Sequence, residues 1–360
     1  MTVVSAWEWL AWSFSPLAWL WQALTAEPAA QAFWSQQVIG ALGAMLVALL
    51  LDRIWGEPPL WMHPVVLMGK LLGGLGQRIA PCSEVARDYR RFWLAALAWC
   101  ALAALFFMAY WLVLLLLQPA PWWLRGMLTG VLLKPLLSWR MLRDEVQAVE
   151  AALQQSLAAG RERLSWLVSR DTSELDAATV RESAIETLAE NLSDSVIAAL
   201  FWFAVAGLPG AALYRFANTA DAMWGYPGWR GRGEQRRHWQ WAGKWAARAD
   251  DVLNWIPARL TAAWLALVAG GLSWAGLRQD ALAAPSPNGG WPMGAMARAL
   301  GVRLSKPGVY RLNPSGAAPE AGHLQRALQL ASRVVLAQVL CALAAMVLMV
   351  LWMWRGGGHG

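Results

Sequence analysis

The sequence predicts an all-α, polytopic integral membrane protein whose polar helical loops form the functional site, and three observations carry that prediction. The 360 residues are 58% hydrophobic and only 15% charged, a balance foreign to an ordinary soluble globule. Uncharged runs of about 20 residues, enough for a helix to cross a hydrocarbon core, recur along the chain. Tryptophan is abundant, 27 residues against five tyrosines and eight phenylalanines, and an indole settles at a membrane boundary because it has an apolar body and one N–H donor.

Taken in order, residues 1–27 read as a Trp-rich interfacial helix. They carry Trp7, Trp9, Trp12, Trp19 and Trp21 and lack the basic start of a cleaved signal. Residues 28–355 read as a single polytopic catalytic domain and 356–360 as a disordered, Gly-rich tail. Within the domain, Phe92 to Leu117 gives 26 uncharged residues and Val334 to Trp354 gives 21. Pro28 to Leu51 and Leu260 to Leu277 are further expected spans. Trp122 to Trp139 contains Arg125 and Lys134 and is expected as the return arm of a helical hairpin, with Lys134 snorkelling. Ser195 to Tyr214 is uncharged but interrupted at Gly207-Leu208-Pro209-Gly210, leaving a kinked span or a re-entrant hairpin.

The hydrophilic stretches Asp52 to Arg91, Arg140 to Asp194, Arg215 to Arg259 and Arg278 to Arg333 hold six, six, eight and seven basic residues. All four therefore favour the cytoplasmic side. Strict alternation of single spans forbids that arrangement. A hairpin at Pro209-Gly210, with a second break at Gly270-Gly271, would permit it. The net charge of +7 fits loops beside an anionic leaflet, and no basic stripe interleaved with exposed aromatics points to nucleic acid. Three cysteines make no disulfide framework.

The polar chemistry clusters at the ends of apolar runs. In Arg170 to Asp194, Asp176 caps a helix on which Glu182, Glu186, Glu190 and Asp194 form one stripe, with Val180, Ile185, Leu188 and Leu192 towards the other face. Either this edge is solvated, or its like-charge repulsion is relieved by a divalent cation. Asn218 and Asp221 share a helical face and offer oxygen ligands for a hard cation, or cap a helix end. Asp250, Asp251 and Asn254 repeat the spacing, with Arg248 and Arg259 available to pair with the acids. The loop Ser286 to Pro292 supplies Asn288 and two glycines, and Lys306 offers a compact positive charge for phosphate. His63 precedes Pro64 as a turn residue or a substrate contact. No phosphate loop, dinucleotide fingerprint, HExxH or GxSxG is present.

The blocks LLLDRIWGEPPLWMHPVVLMGKLL, RDTSELD to AENLSDSVIAALFW, ANTADAMWGY, ADDVLNWIPARL and SPNGGWPMGAMARALGVRLSKPGVY, in this order from about Leu49 to Tyr310, resemble the adenosylcobinamide-phosphate synthase family, CobD/CbiB, of cobalamin biosynthesis. Leu192 and Ser195 depart from the usual family residues, and the Trp- and Arg-rich stretch from Trp229 to Trp245 is unusual, leaving the loop before Asp250 without an evident anchor. The resemblance implies an inner-membrane enzyme with its site facing the cytoplasm. Its activity would join aminopropanol, or its phosphate, to the propionate carboxylate of adenosylcobyric acid with ATP and magnesium. Implied partners are the corrinoid, the amino alcohol, membrane lipid, and a second copy or other corrinoid-pathway membrane enzymes.

Such a ligation is uphill in water, so activation of the carboxylate by phosphate, followed by displacement by the amine, needs cation ligands and phosphate donors more than a nucleophile. On that chemistry Glu186, Glu190 and Asn191 are the catalytic candidates, with Glu186 and Glu190 also available to magnesium. Asp194, Asn218, Asp221 and Asp251 are the magnesium ligands. Arg170 and Lys306 would hold phosphates, while Asn191, Asn254 and Asn288 would orient corrinoid amides. Two other readings remain open: a transporter or sensory relative using the same polar groups to line a solute path, and a magnesium-dependent transferase acting on a diphosphate.

Overall fold

The computed structural model describes residues 15–84, 86–231 and 233–356; the expectations for Trp7, Trp9, Trp12 and residues 357–360 lie outside them. The protein is all-α and polytopic, its only sheets among the described residues being two short antiparallel ribbons. Four helical stretches are long and apolar enough to cross a membrane: Ala30–Trp55, Tyr89–Leu117, Ala177–Trp224 and Ala321–Trp354. The chain divides into two compact units. The first comprises Met1–Leu137, Ala199–Leu253 and Val339–Gly360, and the second Ser138–Ala198 and Asn254–Gln338.

The first unit is built from α1 (Pro16–Thr25), α2 (Pro28–Trp55), α3 (Pro64–Ile79), α4 (Tyr89–Leu117) and α5 (Trp122–Leu133). It also takes in most of the long stretch Ala198–Trp224 and the helix Lys244–Leu253. Of the stretch expected as a return arm, only Trp122–Leu133 is α-helix, and it packs on α2. Its glycines let it lie directly on α2, because a Cβ on Gly126 would stand 2.7 Å from the Gly40 carbonyl oxygen. Lys134, which follows α5, does not snorkel. It is 6% exposed, its ammonium lying 2.9 Å from Glu57 and 3.5 Å from Asp52. An ammonium this deep is tolerated where carboxylates accompany it.

The Trp-rich stretch after Trp224 is firmly anchored, contrary to expectation. Trp224 is 1% exposed, stacks on Trp239 at 6.0 Å and donates its indole N–H to the Leu72 carbonyl. His238 N–H reaches Pro81 O at 2.9 Å, so indole burial, together with the short ribbon of β1 (Trp229–Arg230) and β2 (Arg237–His238), fixes the loop leading to Asp250.

The stretch Ala198–Trp224 is broken at Ala206 and at Gly207, which adopts φ 62°, ψ −161°. A Cβ on Gly210 would stand 2.6 Å from the Trp202 carbonyl oxygen, although eight residues of straight helix advance about 12 Å. The chain therefore reverses sharply here, which favours the hairpin over a gently kinked rod. The expected span Leu260 to Leu277 is divided. Its helix runs only from Trp255 to Val268, and positive φ at Gly270 and Gly271 ends it. Fourteen residues rise about 21 Å, short of a hydrocarbon core.

The second unit contains α6 (Trp139–Gln155), α7 (Leu157–Ser165), α8 (Ala177–Leu192), α11 (Trp255–Val268), α12 (Trp274–Ala283) and α13 (Gly290–Leu300), where α9 and α10 denote Ala198–Trp224 and Lys244–Leu253. The final helix, α14 (Ala321–Gly356), begins in this unit. Ribbon β3 (Leu304–Lys306) and β4 (Tyr310–Leu312) pairs Lys306 with Tyr310. Charged clamps tie the elements together: Arg181 grips Glu150 with two 2.8 Å bonds, and Asp280 holds Arg298 at 2.6 Å while accepting the Asn313 N–H.

Candidate active site

Helix α8 starts where the sequence places it, with Asp176 accepting the Thr179 N–H at 2.7 Å. The first half of its acidic edge is not solvated, Glu182 and Glu186 being 3% and 6% exposed, whereas Glu190, one turn further on, is exposed. Each buried carboxylate has protein partners. Glu182 accepts the Ser305 backbone N–H at 2.9 Å and its hydroxyl at 2.7 Å, with Arg303 3.7 Å away. Glu186 accepts Arg170 Nη2 and the Tyr310 hydroxyl, both at 2.9 Å; Arg170 also donates to Ser183. Cations and hydroxyls from distant segments relieve repulsion at these two positions.

Arg170 is thereby committed to Glu186. Lys306 stands exposed on the ribbon opposite Tyr310. Burial, then the Glu186 and Glu190 carboxylates, push the Tyr310 phenol above its usual range, so it remains an O–H donor at neutral pH. Glu190 is exposed and its carboxylate borders the Gly289 backbone, where an added Cβ would lie 3.4 Å away. Asn191 donates its amide to the Thr187 carbonyl.

The loop before α13 is shaped by the Ser286 hydroxyl, which accepts the N–H groups of Asn288 and Gly289 at 3.2 Å. Of the two glycines, Gly290 serves packing, since its Cβ would lie 2.6 Å from the Ala281 carbonyl oxygen. Gly289 is the one that faces Glu190. Asn288 is 2% exposed and accepts Arg259 Nη1 at 3.4 Å. Arg259 does not pair with the aspartates; its guanidinium lies over Trp255 at 4.0 Å and Trp291 at 4.9 Å. That tryptophan-flanked guanidinium escaped the sequence reading. Its signal was Trp at both 255 and 291, legible only once the two helices are known to meet.

After α8 the helix widens into a π turn, Ser193–Ile197, a feature frequent at functional sites. Asp194 accepts the Asn254 amide at 2.5 Å. The Asn254 Oδ1 and Ser193 Oγ atoms are buried without a hydrogen-bond partner among the described residues. Oxygens of this kind, beside one carboxylate, fit magnesium, which takes one or two protein carboxylates and keeps the rest of its shell for water and phosphate. Among the described residues no group of three or more His, Cys, Asp or Glu side chains is disposed to hold a metal ion. Any ion there would rely on amide, hydroxyl, water or substrate oxygens.

Asn218, Asp221 and Asp251 belong to the first unit, whereas Asp194 belongs to the second. Asn218 approaches Asp250 at 3.5 Å, and Asp221 and Asp251 repel each other as like charges. Burial raises the Asp251 carboxyl, opposed by Arg248 at 3.5 Å. A further group in the first unit was missed: Asp52, Glu57 and Lys134, extended by His63. His63 caps α3 by accepting the Val65 N–H at Nδ1, which leaves Nε2–H to donate to Glu57 at 3.0 Å. His63 is therefore both a turn residue and part of a buried ionic group.

A match to the family described as CobD/Cbib protein covers residues 45–351. The cobalamin biosynthesis protein CobD of Chromobacterium violaceum is 41% identical over 312 residues, 84% of this chain and 96% of the relative. The probable cobalamin biosynthesis protein CobD of Methanothermobacter thermautotrophicus is 37% identical over 311 residues, 85% and 98% of the two chains. The CobD protein of Stutzerimonas stutzeri is 41% identical over 298 residues, 80% and 92%. No solved structure matches. The matched region contains the acidic helix, the Asn288 loop and the ribbon, and the chain belongs to the CobD/CbiB family of cobalamin biosynthesis proteins.

Proposed function

We propose that this chain is an ATP- and magnesium-dependent ligase of the inner membrane, its site facing the cytoplasm, that forms the amide between the propionate carboxylate of adenosylcobyric acid and aminopropanol or its phosphate. The observation that carries the reading is the grouping within one unit of Glu186, Tyr310 and Glu190 with the Asn288-Gly289 loop. ATP, when bound, supplies activation of the carboxylate, and magnesium neutralises phosphate charge.

The protein's own groups do the rest. An incoming ammonium must lose a proton before its lone pair can attack, and the exposed Glu190 carboxylate is the acceptor. Tyr310 and Arg170 hold Glu186 in place at the foot of that site. Arg259 and Lys306 take phosphate, the first as a planar fork and the second as a point charge. Asn288, Asn254 and Asn191 orient the amides that line a corrinoid. Asp194, with the Asn254 Oδ1 beside it, is the magnesium position of the second unit; Asn218, Asp221 and Asp251 form an oxygen-ligand group of the first.

The test uses membranes containing the full chain, with adenosylcobyric acid, ATP and either amine. Amide product, and ATP consumption only when both co-substrates are present, are expected; ATP-independent corrinoid movement would favour a carrier. Glu190→Ala and Asp221→Ala should each abolish product while the protein still inserts. Full activity in both variants sinks the assignment.

A further inference from the structure

Helices α1, α2, α4 and α5 and the reversal in α9 line a half-open cavity of about 790 Å³ in the first unit. Its walls are largely apolar and include Trp19, Trp34 and Trp122 as well as Gly207 and Leu208 of the chain reversal. A volume of this size is that of a ligand pocket. One cation lines it. Arg125 donates to the side-chain oxygens of Gln37 and, at 2.9 Å, Gln118. Both partners are neutral, and no carboxylate pairs with Arg125 among the described residues.

The two amides fix the guanidinium and satisfy two of its five N–H groups, leaving donors directed by a rigid plane and a full charge beside apolar walls. Arg125 lies in the first turn of α5, next to the Gln118–Pro121 turn that ends the α4 span, so the charge sits at a membrane boundary among indoles suited to that depth. An apolar chamber with one unneutralised cation at the headgroup level complements an amphiphile with an anionic head. We propose that this cavity binds a membrane phospholipid, its phosphate on Arg125 and an acyl chain in the chamber.

The experiment compares brominated phosphatidylglycerol with brominated phosphatidylcholine as quenchers of tryptophan fluorescence in the reconstituted full chain, with native mass spectrometry to count retained lipid. One well-placed cation should give the anionic lipid a preference of about fivefold. Gln118→Glu places a carboxylate of equal size beside Arg125 and supplies the missing counter-charge internally; the preference should fall to near unity with the cavity intact. Arg125→Met should do the same and serves if the first variant fails to fold. A preference that survives in a folded variant overturns the proposal. So does displacement of the bound anion by inorganic phosphate with no lipid retained, or lipid binding that appears only after deletion of residues 2–14, which would make the chain's own N-terminal segment the occupant.

Discussion

Replacing Glu186 by glutamine keeps the side chain's volume and removes its charge, so it isolates the ionic part of the α8 cluster. In the native chain the carboxylate accepts Arg170 and Tyr310 at 2.9 Å each, and its side chain is 7% exposed. Tyr310 can still donate to the glutamine oxygen, so the change removes chiefly one charge-assisted bond, worth about 1.5–3 kcal/mol. It also strands Arg170. Breaking a fully buried pair costs roughly 3–5 kcal/mol. Arg170, however, keeps 20% of its side-chain surface in solvent and its bond to Ser183, which lowers the penalty. The expected loss is about 2–3 kcal/mol, or roughly 30- to 150-fold in the folding equilibrium. Equilibrium unfolding in detergent micelles, followed by far-ultraviolet circular dichroism, measures it. The Arg170→Met variant and the double variant complete a cycle whose coupling should exceed about 1 kcal/mol. A loss below about 0.5 kcal/mol with strictly additive single changes would refute the view that Arg170 neutralises this helix.

Two further outcomes follow from the first unit. Burial pushes the Glu57 carboxyl up, but hydrogen bonds and charge from His63 and Lys134 outweigh it and leave its value below the usual 4.5. Its stabilisation is therefore present above about pH 4.5 and lost as pH falls through the lower folded value; thermal unfolding should show that acid loss, and Glu57→Gln should flatten it. Gly207→Ala forces a side chain into φ 62°, ψ −161°, a region open essentially to glycine alone. It should cost on the order of 1–3 kcal/mol, read as a lower yield of monodisperse protein, while Gly43→Ala, with open space around its Cβ, should be near neutral.

Legibility differed sharply between the fold and the site. The apolar runs from 92 to 117 and 334 to 354 lie within helices of the structure because a span is specified locally: length and the absence of charge suffice. The Leu260 to Leu277 run met that criterion too, but it is divided at Gly270-Gly271, the break that the sequence also offered, where positive φ at both glycines turns the backbone. Asp176 as a cap was readable for the same local reason. Arg259 between two indoles was not, since Trp291 lies on a different helix from Trp255 and neither position signals the other.

The sequence by itself determined the membrane class, the α-helical character, the start of the acidic helix and the blocks that mark the family, since each depends on side chains near one another along the chain. Only the tertiary structure decided that Glu182 and Glu186 are interior, that Arg170 and Arg303 supply their counter-charges, and that Lys134 meets Asp52 and Glu57 rather than water. Burial of a charge is settled by which distant segment arrives to neutralise it, and a linear pattern does not encode that arrival.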